Sequence, residues 1–111
     1  MKILIVGAGA VGFNLAKQLS SEGHDISVVE HDPALVRKIN EKLDVFAIVG
    51  EGISPNILET AGIQQVEMVL AVTTSDEVNI VVCMMANQYG VKKKIARIRN
   101  YGVYYFELLL F

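Results

Sequence analysis

Residues 3–12 read Ile3-Leu4-Ile5-Val6-Gly7-Ala8-Gly9-Ala10-Val11-Gly12, a run of large aliphatic residues followed by three glycines spaced G-x-G-x-x-G. The aliphatic run predicts a strand buried on both faces, because such strands read as continuous apolar residues. Beyond it, Val11, Leu15 and Leu19 recur every four residues and predict a helix that ends near Gly23. The opening of the chain is therefore a strand, a glycine-rich turn and a helix.

The rest of the chain repeats this alternation of strand and helix. Helix starts are indicated by Asp32-Pro33, by Ser54-Pro55 and by a capping box formed by Thr74 and Glu77. Buried strands are predicted at Ile3–Val6, Ile26–Val29, Val45–Val49, Met68–Val72 and Ile95–Ile98. The alternation predicts an α/β fold with a doubly wound parallel sheet of the Rossmann type, with five strands in the order 3-2-1-4-5, or six if the tail adds one.

Length and composition exclude several classes of protein. A chain of 111 residues suits one domain, and although 52% of it is hydrophobic, no apolar run approaches the ~20 residues of a membrane-spanning helix. Lys2 with the apolar residues after it resembles a short signal peptide, but the glycine spacing favours a cytoplasmic first strand. The single Cys83 allows no internal disulfide, which suits a reducing cytoplasm.

The charge is unevenly distributed. The net charge is −2, yet residues 92–99 contain five Lys and Arg and no acidic residue, while the remainder is acidic. A nucleic-acid-binding protein carries basic residues over a whole face, so this class is excluded. The basic cluster itself either holds a phosphate or forms a solvated turn.

The glycine turn has the pattern of a phosphate-binding loop. Gly7 allows the tight turn, Gly9 has no side chain to keep a pyrophosphate from the backbone, and Gly12 lets helix and strand approach closely. The free N–H groups and the positive end of the helix then attract phosphate oxygens.

An acidic residue occupies the position where a ribose is expected. Glu30 ends the second strand, 18 residues after Gly12, and a carboxylate there accepts both ribose hydroxyls and repels a 2′-phosphate. This favours NAD or another adenosine nucleotide whose ribose carries no 2′-phosphate. The alternative is that Glu30 is a strand-end residue that faces solvent. His31 is expected at the rim near the adenosine and His24 in an exposed turn, and neither has metal-ligand spacing.

The residues do not form a catalytic site. Tyr89 and Lys93 have the spacing of a dehydrogenase pair, but Gly90 interrupts the helix between them, and Cys83 has no His within a turn. A dehydrogenase also needs a substrate domain. The chain is therefore predicted to sense a nucleotide and not to be an enzyme.

Three segments resemble the N-terminal domain of Trk-type potassium-uptake regulators, called TrkA-N, KTN or RCK. They are Met1–Gly12, Ala71–Asn79 and Ile95–Arg99, and the resemblance covers about residues 1–100. It implies a cytoplasmic regulatory subunit that binds NAD(H), or ATP or ADP, and that docks on a membrane potassium transporter and changes its gating. The cofactor-binding positions, from the resemblance and the residues together, are Gly7, Ala8, Gly9, Ala10, Val11, Gly12, Glu30, His31, Gly50, Glu51, Thr73, Thr74 and Arg97.

Beyond residue 100 the resemblance ends. The predicted domain at 1–100 is followed by an apolar tail, YGVYYFELLLF at residues 101–111, which matches the family poorly and is a candidate dimer contact. The chain is either an excised domain or a variant. The alternative functions are a fragment of an NAD-dependent oxidoreductase or epimerase and half of a nucleotide-sensing repressor.

One helix is apolar on every side. Residues 80–86 read Ile-Val-Val-Cys-Met-Met-Ala, whereas a surface helix of a lone domain shows a polar face. We expect a homodimer or higher homo-oligomer in which Ile80, Cys83 or Met84 meets the partner and the tail crosses to it. The alternative is that the tail folds back as a final helix over the sheet.

Overall fold

A computed structural model of the chain describes residues 1–99 and 104–107. Every predicted strand and helix is present, with bounds shifted by no more than two residues. In chain order the elements are β1 Lys2–Val6, α1 Ala10–Ser21, β2 Asp25–Glu30, α2 Pro33–Lys42, β3 Phe46–Val49, α3 Pro55–Thr60, β4 Met68–Ala71, α4 Asp76–Gln88, β5 Lys93–Ile98 and β6 Tyr104–Glu107.

The strands form one sheet in the order β3-β2-β1-β4-β5-β6. The first five are parallel, which confirms the predicted doubly wound sheet of order 3-2-1-4-5. The sixth strand runs antiparallel to β5, with Arg97 opposite Tyr105. Residues 104–107 are therefore a strand, and the alternative of a final helix is wrong for them. The other tail residues, and with them the rest of the tail's expected dimer contact, lie outside the described residues.

Helices cover both faces of the sheet. Leu4 and Val6 point to the face covered by α3 and α4, and the alternate residues Ile3 and Ile5 point to the face covered by α1 and α2. All four side chains are at most 2% exposed. Burial on both faces explains why the strands read as unbroken aliphatic runs.

Capping side chains begin two of the helices. The Asp32 carboxylate accepts the Ala34 N–H at 2.9 Å, as the sequence predicts. The capping box predicted for α4 is displaced by one residue, because Ser75, not Thr74, caps this helix and accepts the Val78 N–H at 3.2 Å. Thr74 is consequently an exposed residue of the loop before the helix.

Helix α4 buries one side and exposes another. Val82, Cys83 and Ala86 are fully buried against the sheet, while Ile80, Val81 and Met84 are 37–49% exposed. The expectation that Cys83 meets another subunit is therefore wrong, since this side chain belongs to the core. Among the described residues, no helix is both long and apolar enough to cross a membrane.

Burial makes the Cys83 thiol unreactive. Desolvation of the thiolate raises the pKa of Cys83 to about 12, only partly opposed by the charge of Lys94. Because the thiolate is the reactive form, we expect the folded chain to resist alkylation from pH 7 to 9 and to react once urea unfolds it. Labelling followed by mass spectrometry measures this. Rapid alkylation of the folded chain would contradict the buried position.

Candidate functional site

A crevice opens at the carboxyl ends of the strands, where β1 and β4 lie side by side and their following helices leave to opposite faces of the sheet. This is the topological switch point at which open α/β sheets bind ligands. Two adjoining cavities, of about 280 and 310 Å³, lie on the two sides of this point. Both are lined by Gly7, Glu30, His31, Thr73 and Thr74.

The three glycines of the turn each have a different steric environment. Gly7 has φ +109°, and a Cβ there would lie 2.9 Å from the Thr73 nitrogen. A Cβ on Gly12 would lie 1.8 Å from the carbonyl oxygen of Gly7. A Cβ on Gly9 would meet no atom within 4 Å and would project into open space at the crevice. Gly7 and Gly12 are therefore required by the fold, whereas Gly9 leaves room for a ligand.

Helix α1 presents unoccupied donors to the crevice. Its N-cap is Gly9, which has no side chain to cap the first turn. Ala10 and Val11 occupy the first two helical positions and line the same cavity. Their N–H groups have no acceptor within the helix, and no hydrogen bond from the described residues reaches them. Together with the helix dipole they form a site suited to an anion.

Glu30 is held in a fixed position by the backbone. It is only 7% exposed, and its two carboxylate oxygens accept the N–H groups of Ala8 and Asp32, each at 2.8 Å. A carboxylate has about four lone-pair sites, so these bonds leave acceptor capacity for hydroxyl groups. Glu30 therefore does not face solvent, which was the alternative to a ribose role.

His31 lies at the rim, as the sequence predicts. Its side chain is 71% exposed, and its Nδ1 lies 3.1 Å from the Oε2 of Glu30. His24, expected in an exposed turn, is instead half-buried, and its Nδ1 is enclosed without a partner. No cluster of metal-ligating side chains occurs in the part of the chain that the structure describes.

The loop after β4 is organised by Asn79. The Asn79 Oδ1 accepts the Thr73 N–H at 2.9 Å, and its Nδ2 donates to the carbonyl oxygens of Thr73 and Arg97 at 3.1 and 2.8 Å. Asn79 is fully buried. Asn79 was not among the predicted functional residues, although a polar residue at the start of the apolar run at residues 80–86 was a usable signal.

Arg97 faces the crevice from β5. It lies on the same sheet face as Ile95, the face covered by α1, and it lines the cavity over the glycine turn. Its Nε is enclosed, and no described residue accepts a hydrogen bond from it. Arg97 is half-buried, and a cationic side chain that lines a cavity suits an anionic ligand group.

The other basic residues of the 92–99 cluster do not join Arg97. Lys92 and Lys93 are exposed. Lys94 is buried, and its Nζ donates to the carbonyl oxygen of Val91 at 2.9 Å. The cluster is therefore divided between solvent, a loop and the crevice, and only Arg97 has its side chain at the cavity beside the glycine turn.

The β3–α3 loop closes the other side of the crevice. Gly50 is tied to β2 by a bond from its N–H to the Glu30 carbonyl at 3.0 Å, and a Cβ on Gly50 would lie 2.7 Å from Ile57. Glu51 is exposed at the cavity. The same cavity is also lined by Gly52, which was not among the predicted binding residues, and by Val6, Val29, Ser75 and Val78. The adjoining cavity over the glycine turn is also lined by Asp32, Leu35 and Val72.

Eleven of the thirteen predicted binding residues line the two cavities. The exceptions are Ala8 and Gly12, which are buried behind the turn. Ala8 contributes through its N–H to Glu30 and Gly12 through its close contact with Gly7. The Tyr89–Lys93 pair is not at the crevice: Tyr89 bonds Glu59 at 2.6 Å, and Lys93 lies on an exposed part of β5.

The fold and the site together define a Rossmann-type α/β domain. The first strand leads into a glycine turn without side-chain capping, a carboxylate is buried at the end of the second strand, and a crevice opens at the switch point. The TrkA-N domain model matches residues 3–103. The chain belongs to the TrkA-N domain family, as its resemblance implies.

Two curated relatives are named "Trk system potassium uptake protein TrkA". The one from Azorhizobium caulinodans is 45% identical over 100 residues, which are 89% of this chain and 22% of the relative. The one from Halomonas elongata is 42% identical over the same shares. The chain thus spans about a fifth of the length of these relatives. Their names describe potassium uptake and no catalysed reaction.

Solved structures share the fold. The Kef CTD from Shewanella denitrificans in AMP-bound form has a TM-score of 0.68 at 19% identity, and the match covers 79% of this chain and 52% of that one. The GsuK channel bound to NAD has a TM-score of 0.67 at 21% identity, over 78% of this chain and 16% of that one. At such identities these likenesses show the fold alone.

Proposed function

We propose that this chain is the nucleotide-sensing domain of a cytoplasmic regulatory subunit of a Trk-type potassium transporter. It binds NAD(H), with ATP or ADP as the alternative ligand, and the bound nucleotide changes potassium uptake through the membrane subunit. Membership of the TrkA-N family and the names of the relatives support the transport role. The buried Glu30 carboxylate, fixed at the crevice with acceptor capacity to spare, is the observation that carries nucleotide binding.

The crevice accommodates each part of such a nucleotide. The ribose hydroxyls donate to Glu30, and the pyrophosphate lies over Gly9 against the N–H groups of Ala10 and Val11. Arg97 supplies a charged donor to the phosphates, and its position in the lining of the cavity over the glycine turn supports this role. The adenine lies between His31 and the Gly50–Glu51 loop. The AMP-bound Kef CTD and the NAD-bound GsuK channel show that this fold can hold an adenine nucleotide in those proteins.

Parallel calorimetric titrations with NADH, NAD, ATP and ADP test the proposal. We expect saturable binding of at least one of the four, with one site per chain. The preferred nucleotide is the one whose phosphates reach both α1 and Arg97. Absence of binding by all four nucleotides to the folded chain would overturn the assignment.

The charge of Glu30 should set the preference for NADH over NADPH. Alanine is a poor test, because it leaves the N–H groups of Ala8 and Asp32 without their acceptor. Glu30→Gln preserves the shape and removes the charge. Its amide oxygen still accepts one of the two N–H groups, whereas its NH2 group faces the other. We expect it to weaken NADH binding about tenfold, the loss of roughly one charge-assisted hydrogen bond, and to weaken NADPH binding less.

Competition titrations of the two nucleotides measure this change. Glu51→Gln is the matched control, because Glu51 is an exposed carboxylate at the same crevice. An NADH/NADPH ratio that stays constant in Glu30→Gln, or that shifts equally in both variants, contradicts the ribose role.

A second copy of the chain is the proposed occupant of the exposed face of α4. Ile80, Val81 and Met84 leave an apolar patch there. Met suits such a contact because its flexible thioether adapts to irregular surfaces. We expect the parent chain to sediment as a dimer or larger at micromolar concentration and Met84→Lys to sediment near 12 kDa, the mass of one chain.

Gln18→Lys is the control for this prediction, since it adds the same charge at an exposed position of α1, on the opposite face of the sheet. It should leave the assembly intact. A parent chain that is monomeric, or a Met84→Lys variant that assembles as the parent does, excludes this face as the contact.

A further inference from the structure

The parallel ladder between β4 and β5 stops one residue before the crevice. Its last pair is Ala71 with Ala96, so the next residues, Val72 and Arg97, diverge at the carboxyl end of the sheet. Both line the cavity over the glycine turn. The end of this ladder leaves space for a ligand between the two strands. Beyond it, the Val72 N–H still bonds the Val6 carbonyl of β1 and Arg97 is still paired with Tyr105 of β6, so the missing ladder bonds are confined to the side where β4 and β5 face each other.

The side-chain amide of Asn79 replaces those missing partners. It accepts from the Thr73 N–H and donates to the carbonyl oxygens of Thr73 and Arg97, all within 3.1 Å. In addition, the Thr73 hydroxyl lies 2.7 Å from the Asn79 Oδ1. The amide therefore acts as an extra peptide group between two strand ends, and the body of α4 fixes its position.

We propose, on the basis of the nucleotide binding proposed above, that Asn79 is a positioning residue that sets the phosphate-facing geometry of Arg97 and Thr73. Asn79 has no exposed surface and lines neither cavity, so it acts without touching the ligand. By holding the Arg97 carbonyl, it fixes the backbone from which the guanidinium extends over the glycine turn. By holding both backbone groups of Thr73, it fixes the opposite wall of the same cavity.

The role proposed for Asn79 differs from that of Asp76, the neighbouring buried carboxylate of α4. The Asp76 Oδ1 accepts the Arg99 N–H at 2.9 Å, which secures the chain just after β5. Asn79, in contrast, contacts the two residues that form the cavity wall. Stability alone cannot separate a positioning role from a packing role, because loss of a fully buried amide costs stability in either case.

A double-mutant cycle on nucleotide affinity separates the two roles. The variants are Asn79→Ala, Arg97→Gln and the two combined, and the measured quantity is the Kd for NADH and, in parallel, for ADP. We expect each single change to weaken NADH binding about tenfold. In the Arg97→Gln background, Asn79→Ala should weaken NADH binding only about twofold further, because the guanidinium that Asn79 positions is then absent.

Val82→Ala is the matched control. Val82 lies on the same helix, is equally buried and makes no hydrogen bond to the crevice. Combined with Arg97→Gln it should give multiplicative effects on Kd. If Asn79→Ala and Arg97→Gln also multiply, Asn79 only stabilises the fold and the proposal is overturned. If the parent chain binds none of the nucleotides, it is the proposed function that fails instead.

Hydrogen exchange on the parent chain gives a second test, which needs no variant and therefore does not depend on whether a variant folds. Because Asn79 already holds the Thr73 N–H before any ligand binds, this amide should exchange slowly in the nucleotide-free chain. The amides of Ala10 and Val11, which lack acceptors among the described residues, should exchange fast and become protected only with NADH. Fast exchange at Thr73 in the free chain would contradict a preset geometry.

Discussion

Gly9→Val is expected to abolish nucleotide binding and to leave the domain folded. Its φ of −70° is accessible to any residue, and a Cβ there would touch nothing within 4 Å. The valine methyl groups would instead fill the space over the first turn of α1, where the phosphates must approach the N–H groups of Ala10 and Val11. We expect NADH affinity to fall at least about 100-fold.

The same change should cost little stability. Valine is a poorer N-cap residue than glycine, so about 1 kcal/mol of unfolding free energy is expected to be lost. Calorimetric titration measures the binding, and urea denaturation measures the fold. Asn14→Val, at an exposed position of the same helix outside the crevice, should bind NADH as the parent does. If Gly9→Val binds equally well, the phosphates do not lie over this turn.

Gly12→Ala, in contrast to Gly9→Val, is expected to lower the stability of the domain strongly. Helix propensity alone predicts a gain of about 1 kcal/mol, because Gly12 lies within α1. The added Cβ would, however, lie 1.8 Å from the carbonyl oxygen and 2.7 Å from the carbonyl carbon of Gly7. Both are backbone atoms, and Gly7 is itself packed against the loop after β4, so the turn cannot yield locally.

The free-energy cost of this overpacking should exceed the gain in helix propensity, so we expect the domain to be destabilised by about 3 kcal/mol. Urea denaturation of Gly12→Ala beside Asn14→Ala measures the effect, since Asn14 is an exposed position two residues along the same helix. Asn14→Ala should be neutral or slightly stabilising. A Gly12→Ala midpoint at or above that of the parent would show that the turn is not as closely packed as the distances indicate.

These two glycines show how the motif combines separate requirements. Gly12 serves the fold, because helix α1 must approach the end of β1 closely enough to point its first N–H groups at the crevice. Gly9 serves the ligand, because it keeps that approach open. Glu30 then supplies the second fixed point, one strand away, through the N–H groups of Ala8 and Asp32.

Most of the fold could be predicted from local sequence. Buried parallel strands require continuous aliphatic runs, and proline, serine and aspartate at helix starts mark where the chain changes direction. The strand order followed from the Rossmann-type glycine turn, because alternating strands and helices with right-handed crossovers also build sheets of other orders. The exact cap of α4 could not be predicted, because Thr73, Thr74 and Ser75 are chemically similar, and only the hydrogen bonds of the folded loop select Ser75.

The sequence by itself determined the parallel sheet, the glycine turn and the positions of the crevice residues Gly9, Glu30 and Thr73. These depend on short-range patterns, which the chain carries wherever it folds. The tertiary structure alone decided that Cys83 points inward, that Lys94 is buried while Arg97 reaches the crevice, and that Asn79 joins two strand ends. Each of these depends on which face of a strand or helix meets the sheet and on contacts between segments distant in the chain, such as Asn79 with Arg97, which no local pattern encodes.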